Sequence, residues 1–234
     1  MKKYILILIM LFIYSGVSAQ QGNISLKFDK KGEFKIAQFT DIHWSNKSPN
    51  CVKTVEIIKH VLQVEKPDIA ILTGDVVTDA PAKERWLAIA QIFAEAKTPW
   101  AVTLGNHDAE TGVNRKEIFD IIENLPYFVG EKGPEMTGCG NYMLPIQGSQ
   151  NTKVAAALYC IDTNNKPSAN KYGHYDWIHF DQIEWYRKTS DKLTAENNNI
   201  PLPALAFFHI PVLEFNNIVG KESTIGNKEE GVAS

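Results

Sequence analysis

The sequence predicts an α/β fold with a second sheet packed on the first. Two observations carry this. In the first half, short apolar runs alternate with longer stretches whose apolar residues recur every three or four positions, the signature of strands alternating with amphipathic helices. In the second half, further apolar runs follow one another with few long helical stretches between them, which calls for a separate sheet.

The elements follow in order. "FKIAQFT" (34–40), "IAILTG" (69–74) and "WAVTLG" (100–105) read as strands. Between them lie two helical patterns. "VKTVEIIKHVLQVE" (52–65) places Val55, Ile58, Val61 and Leu62 on one stripe, and "AKERWLAIAQIFAEA" (82–96) does the same with Trp86, Ile89, Ala90 and Phe93. "NRKEIFDIIENL" (114–125) is a third helix. "NYMLPIQ" (141–147) and "VAAALYCID" (154–162) are strands of the second sheet. "WIHFDQIEWYRKTSDKL" (177–193) is a fourth helix, and "ALAFFHI" (204–210) a last strand. The polar, proline-broken "TAENNNIPLP" (194–203) reads as a surface loop.

The amino terminus stands outside this pattern. "MKKYILILIMLFIYSGVSAQQ" has two lysines, an apolar core from Tyr4 to Tyr14 and a small-residue exit at Val17-Ser18-Ala19. That is the layout of a secretory signal peptide, residues 1–19, cleaved after Ala19. The core is short for a membrane span of roughly 20 residues, so no stable membrane anchor is expected and the protein is read as exported, periplasmic or secreted. Residues 20–234 form a single domain. The chain carries a net charge of −3, and losing Lys2 and Lys3 with the leader makes it more acidic. A general nucleic-acid binder is disfavoured on that ground. Of three cysteines, Cys160 reads as core, while the spacing leaves Cys51 and Cys139 open.

The ends of the predicted strands hold the chemistry. The first ends "FTDIHWS", with Asp41 and His43. The second ends "LTGDVVTD", with Asp75. The third ends "LGNHDAE", with Asn106, His107 and Asp108. The last ends on His209. In open α/β sheets, function collects at the carboxyl ends of strands. Carboxylate, amide oxygen and imidazole are the donors that divalent and trivalent metals take. Each piece alone has a bland reading as turn chemistry or a structural histidine; the set, delivered by four separate strands, reads as a metal site.

These segments resemble the calcineurin-like metallophosphoesterase superfamily, whose motifs run D-x-H, G-D, G-N-H-[DE], a lone His and finally G-H-x-H. Within it, "FKIAQFTDIHW", "EKPDIAILTGDVVTD", "AVTLGNHDAE", "YGHYDWI" and "PALAFFHIPVLEF" resemble the branch of probable inactive purple acid phosphatases and their yeast and bacterial relatives. The resemblance implies a four-layer α/β/β/α sandwich of two mixed sheets. It implies two divalent or mixed-valence metal ions (Mn, Fe or Zn), with Asp41 and His43 on the first, Asp75 bridging, and Asn106 and His209 on the second. His107 would serve the leaving group, and Asp108 would orient His107. The activity implied is hydrolysis of phosphate-ester substrates by a hydroxide between the metals.

Two departures qualify this. True purple acid phosphatases have Gly-Asp-x-x-Tyr, and the matching position is Thr78, so the iron–tyrosinate site is not expected. None of the six histidines forms Gly-His-x-His, and the sequence closes on "NKEEGVAS". The domain is therefore read as incomplete at its carboxyl end, its last strands missing, with a non-catalytic or weakened binding protein as the alternative. His60 is assigned to the polar face of its helix. "YGHYDWIHF", with His174 and His179, is read as packing and loop, and Asp162 as a turn residue.

Overall fold

The computed structural model describes residues 24–217, apart from 46, 168 and 170–172. The expected signal peptide (1–19) lies outside the described residues, as does the carboxyl-terminal end on which the expectation of an incomplete domain bears. No described helix is long and apolar enough to cross a membrane.

The first sheet is β1 (Ile36–Phe39), β2 (Ile69–Thr73) and β3 (Trp100–Thr103), all parallel and ordered β1-β2-β3. Parallel neighbours need crossovers, supplied by α1 (Asn50–Glu65) and α2 (Ala82–Ala96). Every residue of the central β2 is buried, because helices cover one face and the second sheet the other. That is why its sequence is a continuous apolar run without alternation. Helix α1 buries Ile58 and Leu62, and α2 buries Trp86, Ile89, Ala90 and Phe93, the stripes read from the sequence. Both helices stop on a lysine in the left-handed region, Lys66 and Lys97.

The second sheet is β4 (Tyr142–Gln147), β5 (Val154–Cys160) and β6 (Ala204–Phe207). β4 runs antiparallel to β5, and β5 parallel to β6. Pro145 is tolerated because β4 is an edge strand. Period-two alternation in β5 sets the layers. Ala156, Leu158 and Cys160 join the main core with the first sheet, whereas Ala157 and Tyr159 point the other way, onto Leu193 and Trp185 of α4 (Phe180–Glu196). The Tyr142 hydroxyl accepts from Val102 N (3.0 Å) and donates to Val102 O (2.7 Å), satisfying the open edge of β3.

All six expected strands and four expected helices are present. Apart from β4, the strands end one to three residues short of the apolar runs, because the chain leaves the ladder to present the residues that follow. Helix α4 is displaced toward the carboxyl end of the expected 177–193. Its start is fixed by Gln182, whose side chain accepts from His179 N at 2.8 Å. The third helix, α3 (Arg115–Ile122), begins on a capping box between Asn114 and Glu117. All three cysteines are buried and unpaired.

Candidate metal centre

The site forms where β1, β2, β3 and β6 end. The first two loops track each other past the sheet: Asp41 N donates to Gly74 O (3.1 Å) and His43 N to Asp75 O (2.9 Å). Asp41, His43 and Asp75 all hold left-handed backbone, with φ of 51°, 45° and 50°. Non-glycine residues pay roughly 1 kcal/mol or more for this conformation, and they keep it where surrounding contacts over-determine it. Gly74 and Gly105 are required for space. A Cβ on Gly74 would lie 2.5 Å from His209 Nδ1, and one on Gly105 would lie 2.2 Å from Asp75 Oδ1.

Donor atoms of Asp41, Asp75 and His209 all fall within 4.8 Å of one another. His43 Nε2 lies 3.8 Å from Asp41 Oδ1 and 3.6 Å from Asp75 Oδ2. His209 Nε2 lies 3.4 Å from the same Asp75 oxygen. Asp75 is thus the centre of the cluster, buried, with its second oxygen accepting from His107 N at 2.8 Å. Burial pushes the Asp75 carboxyl up, but His209 and the His107 amide outweigh it and hold it below the usual carboxylate range.

The donor set fits a cation. His209 Nδ1 sits 2.8 Å from Thr73 O, and a carbonyl can only accept, so that nitrogen carries a proton. In the neutral ring, Nε2 then presents a lone pair to the Asp75 carboxylate. Two acceptors face each other unless a positive charge lies between them. A proton can play that part: burial pulls the His209 pKa down, but Asp75 raises it overall. A divalent ion can play it too, with Thr73 O as the partner that fixes the ring.

The remaining sequence-predicted residues divide. Asn106 is buried on the loop after β3, and the His107 ring centroid lies 5.9 Å from that of His43. The expectation that Asp108 orients His107 is not met. Asp108 is wholly buried and turned into backbone: Oδ1 accepts from Val76 N (2.8 Å) and Val77 N (2.9 Å), and Oδ2 from Gly105 N (2.7 Å). It locks the loop after β2 to the loop after β3. His107 is partnered instead by Glu110, with Nδ1 2.7 Å from Oε2. That contact, with burial opposing it, raises the His107 pKa.

Asp162 is likewise no turn residue. It is fully buried and paired through both oxygens with the Arg115 guanidinium. Its signal in the sequence was the carboxylate closing an apolar strand, which only a partner 47 residues away explains. His60 is exposed, as expected. His179 stacks on Trp177, with ring centroids 5.2 Å apart, and its Nε2 lies 2.8 Å from an Asp176 oxygen.

Comparison with known proteins gives the family. The chain is 32% identical to probable inactive purple acid phosphatase 29 of Arabidopsis thaliana, over 94% of this chain and 65% of that protein. It is 30% identical to phosphatase DCR2 of Saccharomyces cerevisiae, over 87% of this chain and 40% of that one. The chain therefore spans under two thirds of these relatives' lengths. A crystal structure of a dimetal phosphatase from Danio rerio shares the fold, with a TM-score of 0.54 at 11% identity, over 76% of this chain and 70% of that one. The family model for calcineurin-like phosphoesterases matches residues 34–228, from the start of the first strand through every strand-end ligand candidate of the site. The chain belongs to the calcineurin-like phosphoesterase family.

Proposed function

We propose that the protein is an exported metal-dependent phosphoesterase, with Asp41, His43, Asp75, Asn106 and His209 holding two divalent or mixed-valence ions. The observation that carries the reading is the convergence of Asp41, Asp75 and His209 within 4.8 Å from the ends of three strands. Two of these residues, Asp41 and Asp75, lie on left-handed backbone. When bound, such an ion pair lowers the pKa of a water and neutralises charge on the phosphoryl oxygens. The residues of the chain do the rest. Asp75, pinned by the His107 amide, keeps one oxygen toward both histidines. His107, held by Glu110, stands beside His43 at the open face and is placed to donate a proton to the departing ester oxygen. The leader-like amino terminus supports export, and the acidic chain supports a small phosphate ester over nucleic acid as substrate.

The test is a pair of variants assayed with Mn²⁺ and an aryl phosphate. Asp75→Asn is expected to abolish ion binding in calorimetry, and turnover with it. His107→Ala is expected to keep the ion and lose about 10²–10⁴-fold in rate. Loss of the ion in His107→Ala would overturn this division of roles. A second reading, a metal-holding protein without turnover, draws support from the names of the plant relatives. Wild-type protein that binds Mn²⁺ and hydrolyses nothing would establish it.

A further inference from the structure

Arg115 and Asp162 lie outside the metal cluster, yet both ends of their contact network land beside it. Arg115 opens α3, with only 14% of its side chain exposed. Its guanidinium holds both Asp162 oxygens and also donates to Gly105 O (Nη1, 2.9 Å) and Leu104 O (Nη2, 3.0 Å). Those carbonyls immediately precede Asn106 and His107. At the other end, the residue after Asp162 is Thr163, and its hydroxyl accepts from Ile210 N at 2.9 Å, one residue past His209.

The intervening segment is immobilised from every side. Asp162 also accepts from Cys139 N (2.8 Å) and Asn164 N (2.9 Å). Its own amide donates to Asn141 Oδ1 (3.0 Å), and its carbonyl accepts from Gln182 Nε2 (2.6 Å). Gln182 Nε2 donates to Asn141 Oδ1 as well, at 2.8 Å, which ties in the start of α4.

We infer that Arg115 and Asp162 are positioning residues: one buried brace that sets the spacing between the Asn106–His107 loop of the first sheet and the His209 loop of the second. The inference rests on the metal-centre reading of the strand ends. Asn106 and His209 come from different sheets, and no backbone ladder joins β3 to β6. Something must fix their separation if both are to reach one ion. A planar guanidinium suits this, because it can grip a carboxylate through two nitrogens and still reach neighbouring carbonyls. A lysine has one nitrogen and cannot do both.

The experiment uses the full-length protein, metal-free, with two readouts. Hydrogen exchange should show Arg115→Met speeding exchange at 104–108 and at 209–210 together, while β2 stays protected. Calorimetry should show Mn²⁺ affinity falling about tenfold or more, within the 10–100-fold range of outer partners of metal ligands. Arg115→Lys, the milder change, should show both effects in reduced form, and it decides the matter should Arg115→Met not fold. Ile89→Ala, in the core of α2, serves as the control for general destabilisation and should leave both readouts in place. Arginine variants that match Ile89→Ala in exchange and in Mn²⁺ affinity would overturn the brace. Wild-type protein that binds no Mn²⁺ would instead overturn the metal-centre reading beneath it.

Discussion

Asp108 and Asp162 each follow the end of a strand, each is wholly buried, and each anchors a loop of the site, but they are compensated differently. Asp108 is satisfied by three backbone N–H groups, from Val76, Val77 and Gly105. Asp162 is satisfied by a full positive charge, with backbone donors added. The first arrangement ties together loops of a single sheet that already run side by side. The second joins two sheets, over a distance that only a long side chain covers. Neutral dipoles suffice for local fastening, whereas the joint between layers uses an ion pair that also fills its surroundings with hydrogen bonds.

The difference predicts a ranking. Asp162→Asn leaves the Arg115 guanidinium buried without its counter-charge, which costs about 3–5 kcal/mol. Urea unfolding of the metal-free protein measures it. An equal or smaller loss than Asp108→Asn would mean that the ion pair contributes less than the backbone fastening. Removing one buried acceptor set from neutral donors costs about 1–3 kcal/mol, so Asp108→Asn should be the milder change.

That second variant also carries a pH signature. Burial pushes the Asp108 carboxyl up to about 6 against the pull of its N–H donors. The folded protein therefore holds this proton more tightly than the unfolded chain, whose carboxyl titrates near 3.8. The stabilisation is fully present below the unfolded value and is lost as pH rises through about 6. Asparagine does not titrate. The stability advantage of wild type over Asp108→Asn should therefore be largest near pH 4 and shrink as pH rises to 7. A gap that stays flat would mean that the three N–H donors win over burial and the carboxylate is ionised throughout.

These two aspartates also mark the limit of what the sequence could reveal. Helices α1 and α2 were legible because Ile58, Leu62, Trp86 and Phe93 recur at helical spacing, and their burial is a property of one element at a time. Asp41, His43, Asp75 and His209 could be picked out because each follows an apolar run, and the structure brings these four side chains together. The role of Asp108 was misread because adjacency in the chain suggested adjacency in space. Its side chain turns into the loop backbone while that of His107 faces outward. Asp162 shows in the sequence as a carboxylate closing an apolar strand, but nothing local points to Arg115, 47 residues away, as its partner. Such couplings depend on how the layers stack, and hydrophobic periodicity does not encode that.

The smallest effect concerns the carboxylate that does reach His107. Glu110 sits three residues on, across a short 3₁₀ turn (Asp108–Glu110), which brings its Oε2 to 2.7 Å from His107 Nδ1. Both side chains are close to half exposed, so the pair is screened and contributes little to stability. Its mark should lie in titration. The contact raises the His107 pKa above its ordinary 6.5, so its stabilisation is present below that value and fades as pH rises through the folded pKa. Glu110→Gln removes the charge and keeps the shape. The His107 imidazole resonance in the metal-free protein should then titrate at lower pH, with folding stability nearly unchanged. An unchanged midpoint would mean that solvent screens Glu110 completely, leaving the nearby Asp75 carboxylate as the group that acts on the His107 proton. A lowered midpoint would place the partner of His107 on the 3₁₀ turn and leave Asp108 purely as the fastening between the two loops.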